Sequence, residues 1–214
     1  MKVVTISATY GAAGHQIGMA VAERLGVPFV DRAIAGAVAE ELGCSLEEAL
    51  AHDDRAEHGL SRLLSGALRL PTVTFGGVDM YVPGELPHAP EEFVRLTRRV
   101  LLDTARSRGG VFLGRAGSIV LADLPGALHV RLDAPVERRV RQAVRLGAAS
   151  EREARRALED NDRARAAYVR HFYRADPADP AHYHLMIDST VIPVQACAGL
   201  IVMAAEALTP PEPP

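Results

Sequence analysis

The chain has 214 residues, 48% of them hydrophobic, and a formal net charge of −3. That length suits one large domain, or one domain with a movable insert, and the apolar fraction allows a substantial core. The charge gives no global electrostatic case for a nucleic-acid partner, and no apolar run approaches the ~20 residues needed to span a bilayer.

Residues 2–7 read as a short buried strand leading into the turn Thr9-Tyr10-Gly11-Ala12-Ala13-Gly14. From 14 to 25, Ile17, Val21, Ala22 and Leu25 recur at helical spacing and Gly26 offers a stop. Residues 27–30 form a second short apolar run ending at Asp31. A helix is expected over 33–42, and Ser45-Leu46-Glu47-Glu48 has the form of a capping box opening another. From 52 to 90 the pattern loosens: 60–70 has helical character, but Pro71, Gly76, Gly77, Pro83, Gly84, Pro87 and Pro90 break up the rest. A long mobile excursion is expected there, since connections of that length inside compact domains are usually functional or disordered.

Regular structure resumes with a helix over 91–106, with Phe93, Val94, Val100 and Leu101 inward. A strand follows over 110–113, then a short helix from 118 to 121 and a strand over 127–132. Arginine-rich helices are expected over 136–146 and 150–173, a last short strand over 183–187, and a closing apolar helix over 193–208. The tail 209–214 carries four prolines in six residues and is expected to be disordered. The two cysteines, Cys44 and Cys197, have no metal-ligand spacing and read as reduced thiols. With no signal-peptide layout at the start, the expected location is the cytoplasm.

Short apolar strands alternating with amphipathic helices imply a three-layer α/β fold around a parallel sheet. Ligands in such folds bind beyond the carboxyl ends of the strands, so the strand-end residues are the candidates. Gly11 and Gly14 follow the first strand and allow successive N–H groups to face one anion, with Gly14 opening a helix. Counted from Thr9, His15 occupies the lysine position of G-x-x-x-x-G-K-[ST], and Gln16 stands where a hydroxyl would hold Mg²⁺. A pair of solvated first-turn side chains is the alternative for both. Asp31 suits orienting or deprotonating a substrate hydroxyl, or capping the helix after it. Arg115, after a strand and Gly114, suits bidentate phosphate binding.

The arginines of 138–170 alternate with Glu151, Glu153, Glu159, Asp160 and Asp162. Most suit solvent-facing, salt-bridged helices. A few inward ones would form a flap closing on a phosphoryl group, with Arg139, Arg163 and Arg165 the candidates. Aromatics are scarce among them, which weakens an RNA-binding reading. His182, Tyr183 and His184 lack metal-site partners and read as structural, so no metal ligands are assigned.

Taken in order, "VTISATYGAAGHQIG", "AERLGVPFVDRAI", "VFLGRAGSIVL", "LHVRLDAPVERRV", "DNDRARAAYVRHFY" and "YHLMIDST" resemble the cytidylate kinase-like family, relatives of the nucleoside monophosphate kinases within the P-loop phosphotransferases. The resemblance implies a single P-loop NTPase domain over 1–208, with an acceptor-binding insert near 45–92 and a helical lid near 136–175. It further implies transfer of the γ-phosphoryl of ATP to CMP, dCMP or a related small acceptor, with Mg²⁺. Tyr10, Gly11, Ala12, Ala13, Gly14, His15 and Gln16 then form the phosphate loop. Arg115 holds the acceptor, Asp31 orients it, and Arg139, Arg163 and Arg165 stabilise the transferring group. The expected partner is a small-molecule nucleotide, with no nucleic acid and no membrane; a homodimer stays open. The family's loop commonly reads Tyr-Gly-x-Gly-Gly-Arg, whereas this chain has Ala13 for a glycine and His15 at the basic position. Cytidylate kinases also have an acid directly after the Gly-Arg pair, which here is Ala116. A catalytically impaired nucleotide-binding regulator is the alternative these departures raise.

Overall fold

The strand β1 (Val3–Ala8) lies at the centre of a parallel sheet, and the rest of the chain is arranged around it. The computed structural model describes residues 1–31 and 90–208. After β1 come α1 (Gly14–Leu25) and β2 (Phe29–Val30), then α2 (Pro90–Ser107), β3 (Gly110–Leu113) and the single turn α3 (Gly117–Val120). They are followed by β4 (Ala127–Asp133), α4 (Val136–Arg145), α5 (Glu151–Tyr173), a 3₁₀ turn over Pro180–His182, β5 (Leu185–Asp188) and α6 (Val194–Ala207). Among the described residues the sheet has five strands in the order β2-β3-β1-β4-β5, all pairs parallel.

Side chains alternate across the sheet, as a period of two requires. Val4, Ile6 and Ala8 of β1, with Leu128, Val130 and Leu132 of β4, face α1 and α6. There they pack on Ile17, Val21, Cys197, Ala198 and Ile201. The opposite face brings Val3, Phe112 and Ala127 against Phe93, Leu96 and Leu101 of α2 and Val120 of α3. These two cores make the fold three-layered α/β. Each fully buried Ile, Val, Leu or Phe contributes about 1.5–3 kcal/mol, so the layers are held mainly by this burial.

The second face is polar at its middle, where Gly117 of α3 approaches the Thr5 side chain. Thr5 Oγ1 and His129 Nδ1 are 2.8 Å apart, and the His129 N–H donates to His184 Nδ1 at 3.1 Å, with the two rings stacked at 4.9 Å. Beside them Arg131 is buried against Asp133, donates to the Pro177 carbonyl and lies over the Tyr183 ring. The connection before β5 therefore closes this face, which is why β5 starts at Leu185 and not at Tyr183. Burial, then the neighbouring His184, pushes His129 down to about 4, so the ring is neutral in the fold.

Element ends differ from the sequence expectation for local reasons. Val27 was expected in β2, but its N–H bonds back to the Ala22 carbonyl and completes the C-cap at Gly26 (φ +64°). Ser150 caps α5, accepting from the Glu153 N–H at 3.2 Å. The helices expected over 33–42 and 60–70, the capping box at Ser45, the tail 209–214 and most of the acceptor insert lie outside the described residues. Of the insert, only 90–92 are described, and they open α2.

Candidate active site

All strands being parallel, their carboxyl ends share one edge, and the loop after β1 sits at its centre. That loop is fastened by its carbonyls. Arg165 donates to the Ala8 carbonyl, Arg139 Nη1 to the Tyr10 carbonyl at 3.2 Å, and Ser189 Oγ to the Ala12 carbonyl at 2.7 Å. Thr9 ties it to β4, its N–H bonding to the Leu132 carbonyl and its hydroxyl to Asp133 Oδ1 at 2.9 Å. On the donor side, the Ala12 N–H returns to the Thr9 carbonyl and the Tyr10 N–H reaches Asp162 Oδ1 at 3.4 Å. The N–H groups of Gly11, Ala13, Gly14, His15 and Gln16 have no acceptor among the described residues. Unpaired N–H groups in a left-handed turn followed by a helix N-terminus constitute an anion cradle.

The two glycines have specific reasons. Gly11 has φ +79°, and a Cβ there would lie 2.4 Å from the Arg139 carbonyl oxygen, so glycine lets α4 close on the loop. A Cβ on Gly14 would lie 2.4 Å from the Ala8 Cβ. Ala13 itself is left-handed at φ +55°, a conformation that costs a non-glycine residue about 1–2 kcal/mol.

His15, the second residue of α1, meets Asp31 at the end of β2: Nδ1 to Oδ2 is 3.2 Å, and the Phe29 ring stands edge-on to the imidazole at 5.3 Å. The structure thus joins two candidates that are sixteen positions apart. Arg115 lies in a second strained turn. Gly114, Arg115 and Ala116 have φ of +77°, +58° and +52°, two of them non-glycine residues in left-handed backbone. Such strain concentrates at functional sites. The turn borders a small pocket of about 20 Å³, shared with Ser7, Ser118, Arg165, Tyr168 and Tyr183.

The expected lid is a hairpin of α4 and α5. Val140 and Ala143 pack on Ala154 and Leu158, with Tyr10 of the loop against this cluster. Arg139 is buried and points inward, donating to Asp162 at 2.7 Å and to the Ala134 carbonyl at 2.8 Å as well as to the loop. Arg165 also reaches the loop, whereas Arg163 lies exposed on α5, apart from these contacts. Three organising residues were missed as site residues by the sequence reading. Asp162 gathers Arg139 and the Tyr10 N–H, Asp133 gathers Thr9 and Arg131, and Ser189 holds the Ala12 carbonyl. Position at a strand end was the available signal for Asp133. Asp162 sits among similar helix acids, and its available signal was the segment 160–165, DNDRAR, which resembles the family's acid- and arginine-bearing lid.

Burial works against the Asp133 carboxylate, but hydrogen bonds from Arg131, the Ala134 N–H and Thr9 outweigh it and hold the carboxyl below the usual range. Asp188 is held low in the same way, with the Thr190 hydroxyl and N–H and Arg138 at 2.6 Å prevailing over desolvation. These carboxylates are thus committed to protein donors. Among the described residues no three His, Cys, Asp or Glu side chains gather as a metal site. The described residues do not fit a protein-built Mg²⁺ site.

The model of the cytidylate kinase-like family matches residues 3–191. The chain belongs to the cytidylate kinase-like family. The matched span contains the loop after β1, Asp31, Arg115 and the α4–α5 hairpin, and the fold of this family member is a kinase-like nucleotide-binding one. Over its whole length it resembles an uncharacterized protein from Eubacterium ventriosum. The TM-score is 0.68 at 12% identity, covering 97% of this chain and 99% of that one, so the two share a fold. A shikimate kinase from Bacteroides thetaiotaomicron aligns over 97% of this chain and 98% of its own at 14% identity and a TM-score of 0.49. A uronate isomerase from Corynebacterium glutamicum is 32% identical over 136 residues, which are 62% of this chain and 26% of that protein. The cytidylate kinase-like chain thus matches about a quarter of that protein's length.

Proposed function

We propose that the protein transfers the γ-phosphoryl group of ATP to a nucleoside monophosphate such as CMP or dCMP, or to a related small acceptor. The observation that carries this reading is the set of open N–H groups at Gly11 and Ala13 to Gln16, beside a small pocket bordered by Arg115 and Arg165. In this reading the loop Tyr10–Gln16 cradles the donor phosphates and Arg115 binds the acceptor's phosphate. An acceptor oxygen attacks the γ-phosphorus as the bond to the β-phosphate oxygen breaks, and ADP leaves. Such catalysis is positioning and charge neutralisation. Arg139 and Arg165, anchored at the loop, supply positive charge there, with Arg163 adding charge from the exposed side of α5. Mg²⁺ would be supplied with ATP, and no described side-chain cluster holds it. Asp31 faces His15 and orients that ring. The cytoplasm as the working location is part of this proposal; no helix of the described residues is long and apolar enough to cross a membrane.

A second reading is a nucleotide-binding regulator that turns over slowly. It is favoured by His15 in the lysine position and by the engagement of Arg139 with Asp162. Loss of one preorganised electrostatic contact costs about 10²–10³ in rate. A turnover assay with ATP, Mg²⁺ and a panel of nucleoside monophosphates, run beside calorimetric ATP binding, separates the two. Turnover that is lost in Arg115→Ala supports phosphoryl transfer. Tight ATP binding without turnover on any acceptor supports the regulator, and absence of nucleotide binding rejects both.

A further inference from the structure

The contact between His15 and Asp31 has a chemical consequence at the loop. A carboxylate only accepts hydrogen bonds, so at 3.2 Å from Asp31 Oδ2 the ring carries its hydrogen on Nδ1. In the neutral imidazole that leaves Nε2 as a lone pair, which repels an anion. Only the imidazolium presents a second donor, from Nε2. A lysine in this position is charged at any physiological pH, whereas a histidine changes charge between pH 5 and 8.

We propose that the protonated His15, held in place by Asp31, is the phosphate-binding cation of this loop, so that nucleotide binding takes up one proton and tightens as pH falls. Asp31 is then a positioning residue for His15. This rests on the loop being a nucleotide-phosphate site. Among the described residues the ring is met by Asp31 and Phe29 of the β2 strand end, and by no other charged side chain. A bound phosphate adds negative charge on the other side of the ring and favours the imidazolium over the neutral ring. His15 is more than half exposed, at 58% of its side chain, so substitution there leaves the core untouched.

The test measures ADP and ATP binding by calorimetry from pH 5.5 to 8.5 in buffers of different ionisation enthalpy. Wild type is compared with His15→Gln, His15→Lys and Asp31→Asn. The nucleotide's own phosphate titration is common to all four and cancels in the comparison. The proposal predicts that wild-type affinity falls by up to about tenfold per pH unit relative to His15→Gln above the histidine transition. It also predicts the uptake of one extra proton per nucleotide. His15→Lys binds without that extra pH dependence, and Asp31→Asn moves the transition to lower pH. A titration of the His15 ring by NMR, without nucleotide, reads the Asp31 effect independently of binding. Equal pH slopes in wild type and His15→Gln would overturn the proposal while leaving the phosphate site standing. No nucleotide binding by any variant, His15→Lys included, would overturn the site itself and the proposal with it.

Discussion

Asp162 is the residue on which the docking of the α4–α5 hairpin to the loop most depends, and Asp162→Ala tests that. The Arg139 guanidinium is buried, with a side-chain exposure of 7%, and donates to Asp162 at 2.7 Å. Removing one member of a fully buried pair costs about 3–5 kcal/mol, because the other charge is left without its counter-ion. Here Asp162 is partly open to solvent, and Arg139 keeps the Ala134 and Tyr10 carbonyls and Asp133 at 3.6 Å. The expected loss is therefore below that range, about 2–3 kcal/mol, equivalent for a chain of this size to a fall in Tm of roughly 5–10 °C. Urea denaturation of Asp162→Ala, Arg139→Ala and the double variant measures it. The double variant is expected to fall short of the sum of the singles by about 2 kcal/mol, the coupling of a contacting charged pair. A loss under about 0.5 kcal/mol, the level of a surface substitution, together with additive behaviour would refute the buried link between hairpin and loop.

Acid should destabilise the fold through His129, which is neutral in the folded chain at about 4 against 6.5 in the unfolded one. The unfolded chain then binds the extra proton between these values, so stability is full above pH 6.5 and falls by about 3 kcal/mol as pH drops to 4. Denaturation midpoints across that window should flatten in His129→Gln, and an unchanged slope would count against the assignment. Gly11→Ala should lose about 2 kcal/mol more than Gly26→Ala by chemical denaturation. Both glycines have positive φ, but a Cβ at Gly26 meets nothing within 4 Å, whereas at Gly11 it strikes a backbone carbonyl. Equal losses would mean that α4 does not press on the loop.

The sequence made the layers readable because strand and helix periods differ. The helical spacing of Ile17, Val21 and Ala22 marked the buried face of α1, and the bounds of β3 were placed as found. A parallel sheet gathers its strand ends at one edge, and the left-handed turns at Gly11–Ala13 and Gly114–Ala116 follow two of them. What could not be read was which charged side chain of a charged helix turns inward. Asp162, Arg163 and Arg165 lie within four positions on α5, yet Asp162 and Arg165 face the loop while Arg163 is exposed. That choice depends on how α5 rolls on α4, which is set by Ala154 and Leu158 packing on Val140 and Ala143. Nor does spacing pair His15 with Asp31. That contact follows from β2 and α1 meeting where Phe29 packs edge-on to the ring.

If the open N–H groups after β1 form a phosphate site, the amide spectrum of the ¹⁵N-labelled protein titrated with ATP and Mg²⁺ reads them one by one. The expected result is a saturable shift, with a common dissociation constant, centred on the amides of Gly11, Ala13, Gly14, His15 and Gln16. Saturation by ATP that leaves these five amides unmoved, or no response at all, would contradict the phosphate site.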